Sequence, residues 1–183
     1  MGILLAFAPF IAFALFDRLI GATEGLLAGA VVAAAMLARD LFFVGKTPKA
    51  LETGTTALFG GLALYTILSG ATWSVFGVRL FVDVGLLAIV LISMALRMPF
   101  TLQYAREQVA QALWDNPEFI RANYVITAAW ALAFVAMVGA DLVLVYLPDL
   151  SPRIGIGVTI VALVGAFKFT SWYPEQRRAK AAG

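Results

Sequence analysis

Four carboxylates stand where cation or proton chemistry could be done: Asp17, Glu24, Asp83 and Asp141. Asp17 and Glu24 lie in a short polar break within apolar sequence. Asp83 falls about five residues inside an apolar run, and Asp141 is followed by the apolar run Leu142–Leu147. At a helical rise of 1.5 Å per residue, Asp83 and Asp141 sit roughly 7–9 Å in from their helix ends. A carboxylate at that depth in hydrocarbon is costly unless it is paired, protonated or wetted. The four are therefore candidates for an outward-facing cation or proton site. Arg79 and Asp83 are i, i+4 neighbours on one helix face and can neutralise each other. No basic residue stands at that spacing from Asp141, which makes it the stronger candidate.

Other chemistries are excluded by residue type. The chain has no histidine and no cysteine. That removes thiolate nucleophiles, imidazole bases, disulfides, iron–sulfur clusters and the usual zinc sites. Carboxylates alone suit only a hard cation such as Mg²⁺ or Ca²⁺. There is no glycine-rich phosphate loop, no G-x-S-x-G elbow and no basic–aromatic interleaving. The net charge of +2 exerts no general pull on nucleic acid. The expectation is a non-enzyme with no cofactor, no resident metal and no nucleic-acid partner.

The elements that must position the carboxylates belong to a bilayer protein. Of 183 residues, 62% are apolar and 13% charged, with mean hydropathy +0.93. An ordinary soluble domain has roughly 45–50% apolar and about 25% charged residues. Six apolar stretches follow one another: Ile3–Leu15 (extended by Leu19 and Ile20), Gly25–Leu37 continued by Leu41–Val44, Thr53–Leu68, Val78–Leu96, Tyr124–Tyr146 and Ile154–Phe169. Each can span a core of about 30 Å if flanking residues snorkel. No Lys or Arg precedes Asp17, so the first stretch is expected to be a retained helix and not a cleaved signal. Gly2 lacks the Ser or Thr at position 6 that myristoylation requires. The fold class read from this is an all-α polytopic membrane protein: one transmembrane domain over residues 1–183, with six transmembrane helices, one interfacial amphipathic helix and a short tail at about 174–183.

Local signals refine the elements. Thr47-Pro48, Asn116-Pro117 and Ser151-Pro152 each put a capping side chain before a proline at a first helical position. In the connection between the fourth and fifth stretches, Leu102, Ala105, Val109, Ala112 and Leu113 alternate with Gln103, Arg106, Glu107, Gln108 and Gln111 at helical spacing. That predicts an amphipathic helix over 102–113, lying at the cytoplasmic interface with Arg106 among anionic headgroups. Gly21, Gly25 and Gly29 recur every four residues, with Ala33 continuing the row. Such a stripe lets two helix backbones approach closely, within the chain or across a homodimer. Thr53, Thr55 and Thr56 read as interhelical hydrogen-bonding residues, and Lys168 with Trp172 and Tyr173 as an interface belt.

The segment APFIAFALFDRLIGATEGLLAGAVVAAA (8–35) resembles the start of the intracellular septation protein A-like membrane family. TALFGGLALYTIL (56–68) is similar to that family's next helix. RMPFTLQYAREQV (97–109) with ITAAWALAF (126–134) resembles a branch in which an Arg-x-Pro-Phe segment precedes a Thr-x-x-Trp helix. The chain has VFGVRLFVDV where the family carries a Lys-Pro-Thr segment. The resemblance implies an inner-membrane protein of cell-envelope maintenance and division, with no catalytic residues to carry over.

Three functions compete on this reading: an envelope scaffold, a small transporter or channel using the outward carboxylates, and an accessory subunit of a larger membrane complex. The bilayer is the expected partner in all three, with a homodimer or other membrane proteins beside it. Topology underlies them all. Ten of the 13 Lys and Arg fall at one side (Arg39, Lys46, Lys49, Arg97, Arg106, Arg121, Lys168, Arg177, Arg178 and Lys180), while Arg18, Arg79 and Arg153 fall at the other. The positive-inside rule then places both termini in the cytoplasm. Reporter fusions after Lys49, Glu107 and Gly183 should all read as cytoplasmic, and one periplasmic signal among them would refute six crossings.

Overall fold

Among the described residues the elements are all helical, and there is no strand. The structure is a computed structural model describing residues 5–43, 45, 47–147 and 149–182. Ile3, Val44, Lys46 and Gly183, on which part of the sequence reading rests, lie outside the described residues, as do the side chains of Arg178 and Lys180. The helices are α1 (Ala8–Leu19), α2 (Ala22–Ala38), α3 (Ala50–Ser69), α4 (Val75–Ala95), α5 (Phe100–Arg106), α6 (Pro117–Tyr146) and α7 (Pro152–Ala182). A π-helical turn, Arg39–Phe43, prolongs α2, and a 3₁₀ turn, Gln111–Leu113, precedes α6.

Among the described residues, four segments are long and apolar enough to cross a membrane: Ala22–Phe42, Val75–Ala95, Pro117–Tyr146 and Pro152–Arg177. The other two expected crossings fall short on those two criteria for different reasons. α1 has 12 residues, about 18 Å of helix. α3 has 20 residues but begins Ala-Leu-Glu-Thr-Gly-Thr-Thr, so its first two turns are polar.

The chain divides into two compact units, Met1–Ile89 and Val90–Gly183, with the boundary inside α4. In the first unit, Phe13, Leu26, Phe59, Ala63, Val78 and Val82 form the core, and Phe10, Leu62 and Trp73 pack on it. The glycine stripe faces this interior. A Cβ on Gly25 would lie 2.9 Å from the backbone N of Asp17, so α1 and α2 meet backbone to backbone. A Cβ on Gly29 would lie 2.8 Å from the Phe59 ring of α3. Ala33, 2% exposed, continues the buried row. The stripe therefore packs within the chain, against α1 and α3. On α3 and α4, Gly54 and Gly85 make similar room for Ile89 and Leu58. The α3–α4 turn closes through Gly70 in the left-handed region (φ 64°) and through Trp73 Nε1, which donates to Thr66 Oγ1 at 2.7 Å.

In the second unit, Ser93 and Thr101 organise the entry to α5. Phe100 N donates to Ser93 Oγ at 3.1 Å, and Thr101 Oγ1 bonds Asn123 O (2.9 Å) and Thr127 Oγ1 (2.7 Å) on α6. Trp130 of α6 donates its Nε1 to Thr170 Oγ1 of α7 at 2.9 Å.

Several expectations are corrected. Asn116 does cap α6, accepting from Glu118 N at 2.8 Å, and α7 starts at Pro152 after Ser151. Thr47-Pro48 does not cap α3: the helix begins at Ala50 with Lys49 in the extended flanking position and no side-chain cap. The helix expected over 102–113 stops at Arg106. The indole Nε1 of Trp114 donates to Arg106 O at 3.0 Å, taking a carbonyl that a continuing helix would have used. Phe100, Leu102 and Tyr104 of α5 are buried, so this short helix is a packed element and not an amphipathic strip over 102–113. Residues 174–182, expected as a tail, continue α7 despite Pro174.

Gly25→Leu and Gly29→Leu should each destabilise the protein by about 1–3 kcal/mol, because the added side chain meets backbone or a packed ring. Gly61→Ala, on the same fold but with open space around its Cα, should be neutral or stabilising by about 0.5–1 kcal/mol. Thermal unfolding in detergent checks the contrast, and equal melting temperatures for all three variants would show the stripe is not a packing face.

Candidate functional site

The densest charge in the described structure sits where α2 ends and α3 begins. Arg39 and Asp40 occupy the π-helical turn, Lys49 flanks α3 and Glu52 lies in its first turn. Arg39 Nε donates to Asp40 Oδ1 at 3.0 Å, and its Nη2 reaches the same oxygen. Lys49 Nζ lies 3.5 Å from Asp40 Oδ2 and 3.2 Å from Glu52 Oε1. Lys49 and Asp40 are 4% and 2% exposed and Glu52 is 7% exposed, so these three are buried, while Arg39 is partly exposed. Two cations meet two anions, which leaves the cluster formally neutral. The local sequence builds it. The wider π turn swings Asp40 inward at the end of α2. Lys49 and Glu52, at i, i+3, share one face of the entry to α3. Glu52 in that first turn also suits the positive end of the helix dipole. Thr55 and Thr56 bond back to the carbonyls of Leu51 and Glu52, so these threonines serve their own helix.

Asp17, Glu24 and Asp83 belong to the first unit and Asp141 to the second. Asp17, half-buried at the end of α1, lies in the field of Arg79 on α4. Asp83, one turn beyond Arg79, is buried. Glu24 is exposed in the first turn of α2, with its Oε2 folded back over Gly21. Asp141 is 1% exposed on α6. Among the described residues no group of three or more acidic side chains converges on a position that could hold a metal ion.

Arg106, expected among headgroups, is engaged inside the chain. Its Nη2 donates to Trp114 O at 3.3 Å, its guanidinium lies 5.6 Å from the Trp114 ring centre, and Asp115 is 3.9 Å away. Lys168 is exposed on α7, beside Phe169, which stacks on Tyr173 at 5.2 Å.

Asp40 and Glu52 were not among the sequence candidates, and Arg39 and Lys49 entered the reading only as orientation charges. The signal was present: an adjacent Arg-Asp pair at the end of one apolar stretch, and a Lys and Glu three apart at the start of the next.

No protein-family model, curated protein or solved structure matches the chain. The class of protein defined by this geometry is an all-helical bundle with several helices apolar enough to cross a membrane.

Removing one member of the buried network leaves its partners charged and unmatched. Lys49→Met should therefore cost about 3–5 kcal/mol. Adding Glu52→Leu to Lys49→Met should restore most of that loss, since the neutral pair leaves Asp40 with Arg39. Unfolding of the two variants in detergent measures the coupling, and a double variant no more stable than Lys49→Met would show that the Lys49–Glu52 pair is not the relevant contact.

Proposed function

We propose that this chain is a non-enzymatic polytopic protein of the bacterial inner membrane. In this reading it has six crossings, both termini in the cytoplasm, and a scaffold role in envelope maintenance and division. One observation carries the reading. At the junction of α2 and α3 the buried charges face opposite charges of the same chain, with Lys49 between Asp40 and Glu52 and the part-exposed Arg39 on Asp40. Self-neutralised charge suits a structural part. The six-crossing count draws support from α3, whose 20 residues reach about 30 Å, with Glu52 matched by Lys49. α1 and the 3₁₀ turn Leu5–Phe7 before it are shorter, and local thinning of the bilayer with snorkelling of flanking residues accommodates such a mismatch. The resemblance to the septation protein A-like family points to the same role.

A second reading, a small cation- or proton-coupled transporter, is favoured by Asp83 and Asp141, both buried in segments apolar enough to span. An intramembrane carboxylate is a functional candidate by its cost alone. The two readings part on one experiment. In proteoliposomes with an internal pH-sensitive dye, a scaffold moves no more protons than empty vesicles do, and Asp141→Asn keeps the wild-type fold. Proton or cation flux by the wild type, lost in a folded Asp141→Asn variant, would overturn the scaffold reading and make the protein a transporter. Asp83→Asn adds a discriminator. Loss of flux together with Asp141→Asn marks a shared path, whereas loss of stability marks a local pair with Arg79.

A further inference from the structure

The end of α4 breaks a rule of local structure in a way that points to a ligand. After Ala95 the chain closes a Schellman turn: Arg97 N donates to Met94 O at 3.0 Å and Met98 N to Ser93 O at 3.0 Å. This turn needs a left-handed residue at the first position past the helix, which is usually glycine and sometimes asparagine. Here that residue is Arg97, with φ 59°, and it is the sole non-glycine at positive φ among the described residues. A Cβ in that conformation crowds its own backbone. The surroundings hold the strain in place. Leu96 N bonds Ile92 O, Phe100 N bonds Ser93 Oγ, and Gln103 Nε2 bonds Met98 O at 2.9 Å. A strained residue that the fold over-determines is a mark of function more than of stability.

The side chain says what that function is. Arg97 is exposed and stands two residues beyond the apolar segment Val75–Ala95. Its neighbours Leu96 and Met98 are 69% and 53% exposed. Among the described residues, Arg106 pairs with Asp115 and Arg177 with Glu118, and no ion pair is shown for Arg97. If Val75–Ala95 spans the bilayer, a guanidinium between two exposed apolar side chains just past its end falls near the depth of lipid phosphates. Its planar fork matches a phosphate bidentately. We infer that Arg97 is a binding point for the headgroup phosphate of an anionic phospholipid, and that Leu96 and Met98 seat beside it in the acyl boundary. The inference rests on the membrane reading above. Arg97 takes the role that the sequence assigned to Arg106.

The carbonyl end of α4 attracts any cation, so stability alone does not discriminate, whereas lipid dependence does. The full chain, purified in a nonionic detergent, is melted with added phosphatidylglycerol, phosphatidylcholine or free glycerol phosphate. Wild type should melt several degrees higher with phosphatidylglycerol than with phosphatidylcholine, and should ignore glycerol phosphate. Arg97→Gly should melt about 2–4 °C higher than wild type without lipid, because the strain is gone, and should lose the phosphatidylglycerol increment. Arg97→Asn, which also tolerates the left-handed region, should behave likewise, and Arg97→Lys should keep part of the increment. An Arg97→Gly variant that retains the full phosphatidylglycerol increment overturns the inference. An equal shift with glycerol phosphate overturns the lipid as its source. Failure of the membrane reading itself shows separately, as release of the chain from membranes by alkaline carbonate.

Discussion

The packing of the first unit depends on a contact in which α1 and α2 touch through their backbones at Gly25. At so close an approach dispersion contributes to holding the two backbones, and it falls away with a fraction of an ångström. A Cβ at Gly25 would meet Asp17 at N, Cα and Cβ together, so no rotamer change relieves it. The same approach fixes where Asp17 stands and keeps its carboxylate in the field of Arg79. One turn on, Gly29 admits the ring of Phe59, and the core of Phe13, Leu26, Phe59 and Val82 closes around that entry.

The other end of α2 answers to electrostatics. A helix ending in Arg39-Asp40 and another starting at Lys49 with Glu52 in its first turn bring four charges together. In a medium that screens poorly, each charge must find its opposite, and the π turn supplies the displacement that lets Asp40 face Lys49. α2 is thus held at one end by the absence of a side chain and at the other by matched charge.

Hydropathy and spacing made much of this legible. The helical class, the interior helices and the Asn116 cap follow from apolar run length and capping chemistry, which are local properties. The inward face of the Gly21–Gly25–Gly29 stripe was one of two options its spacing allowed, and the neighbour that chose between them, Phe59, lies 30 positions along the chain from Gly29. The start of α3 misled because Thr47-Pro48 satisfies the capping pattern, while Lys49 is drawn to Asp40 and Glu52 by tertiary attraction that no local pattern encodes. The 102–113 periodicity is real, but Trp114 competes for the carbonyl of Arg106 and ends the helix there. The buried network went unread because its members divide between two apolar stretches and look like flanking charges until the stretches are folded together.

Phe59 carries a consequence of its own. Its ring meets Gly29, sits edge-on to Phe10 at 5.1 Å and leans on Phe13 at 5.6 Å, so three positions on two other helices share one side chain. Energies at positions with a common partner do not add. A methyl gained at Gly29 and a smaller side chain at Phe59 would each be harmful alone and would partly cancel together, so a double-mutant cycle across these sites would show strong coupling. Sequence drift here is therefore expected to be concerted: residues 10, 13, 29 and 59 change as a set, and any one of them transplanted singly from a diverged copy would meet a neighbour shaped for a different ring.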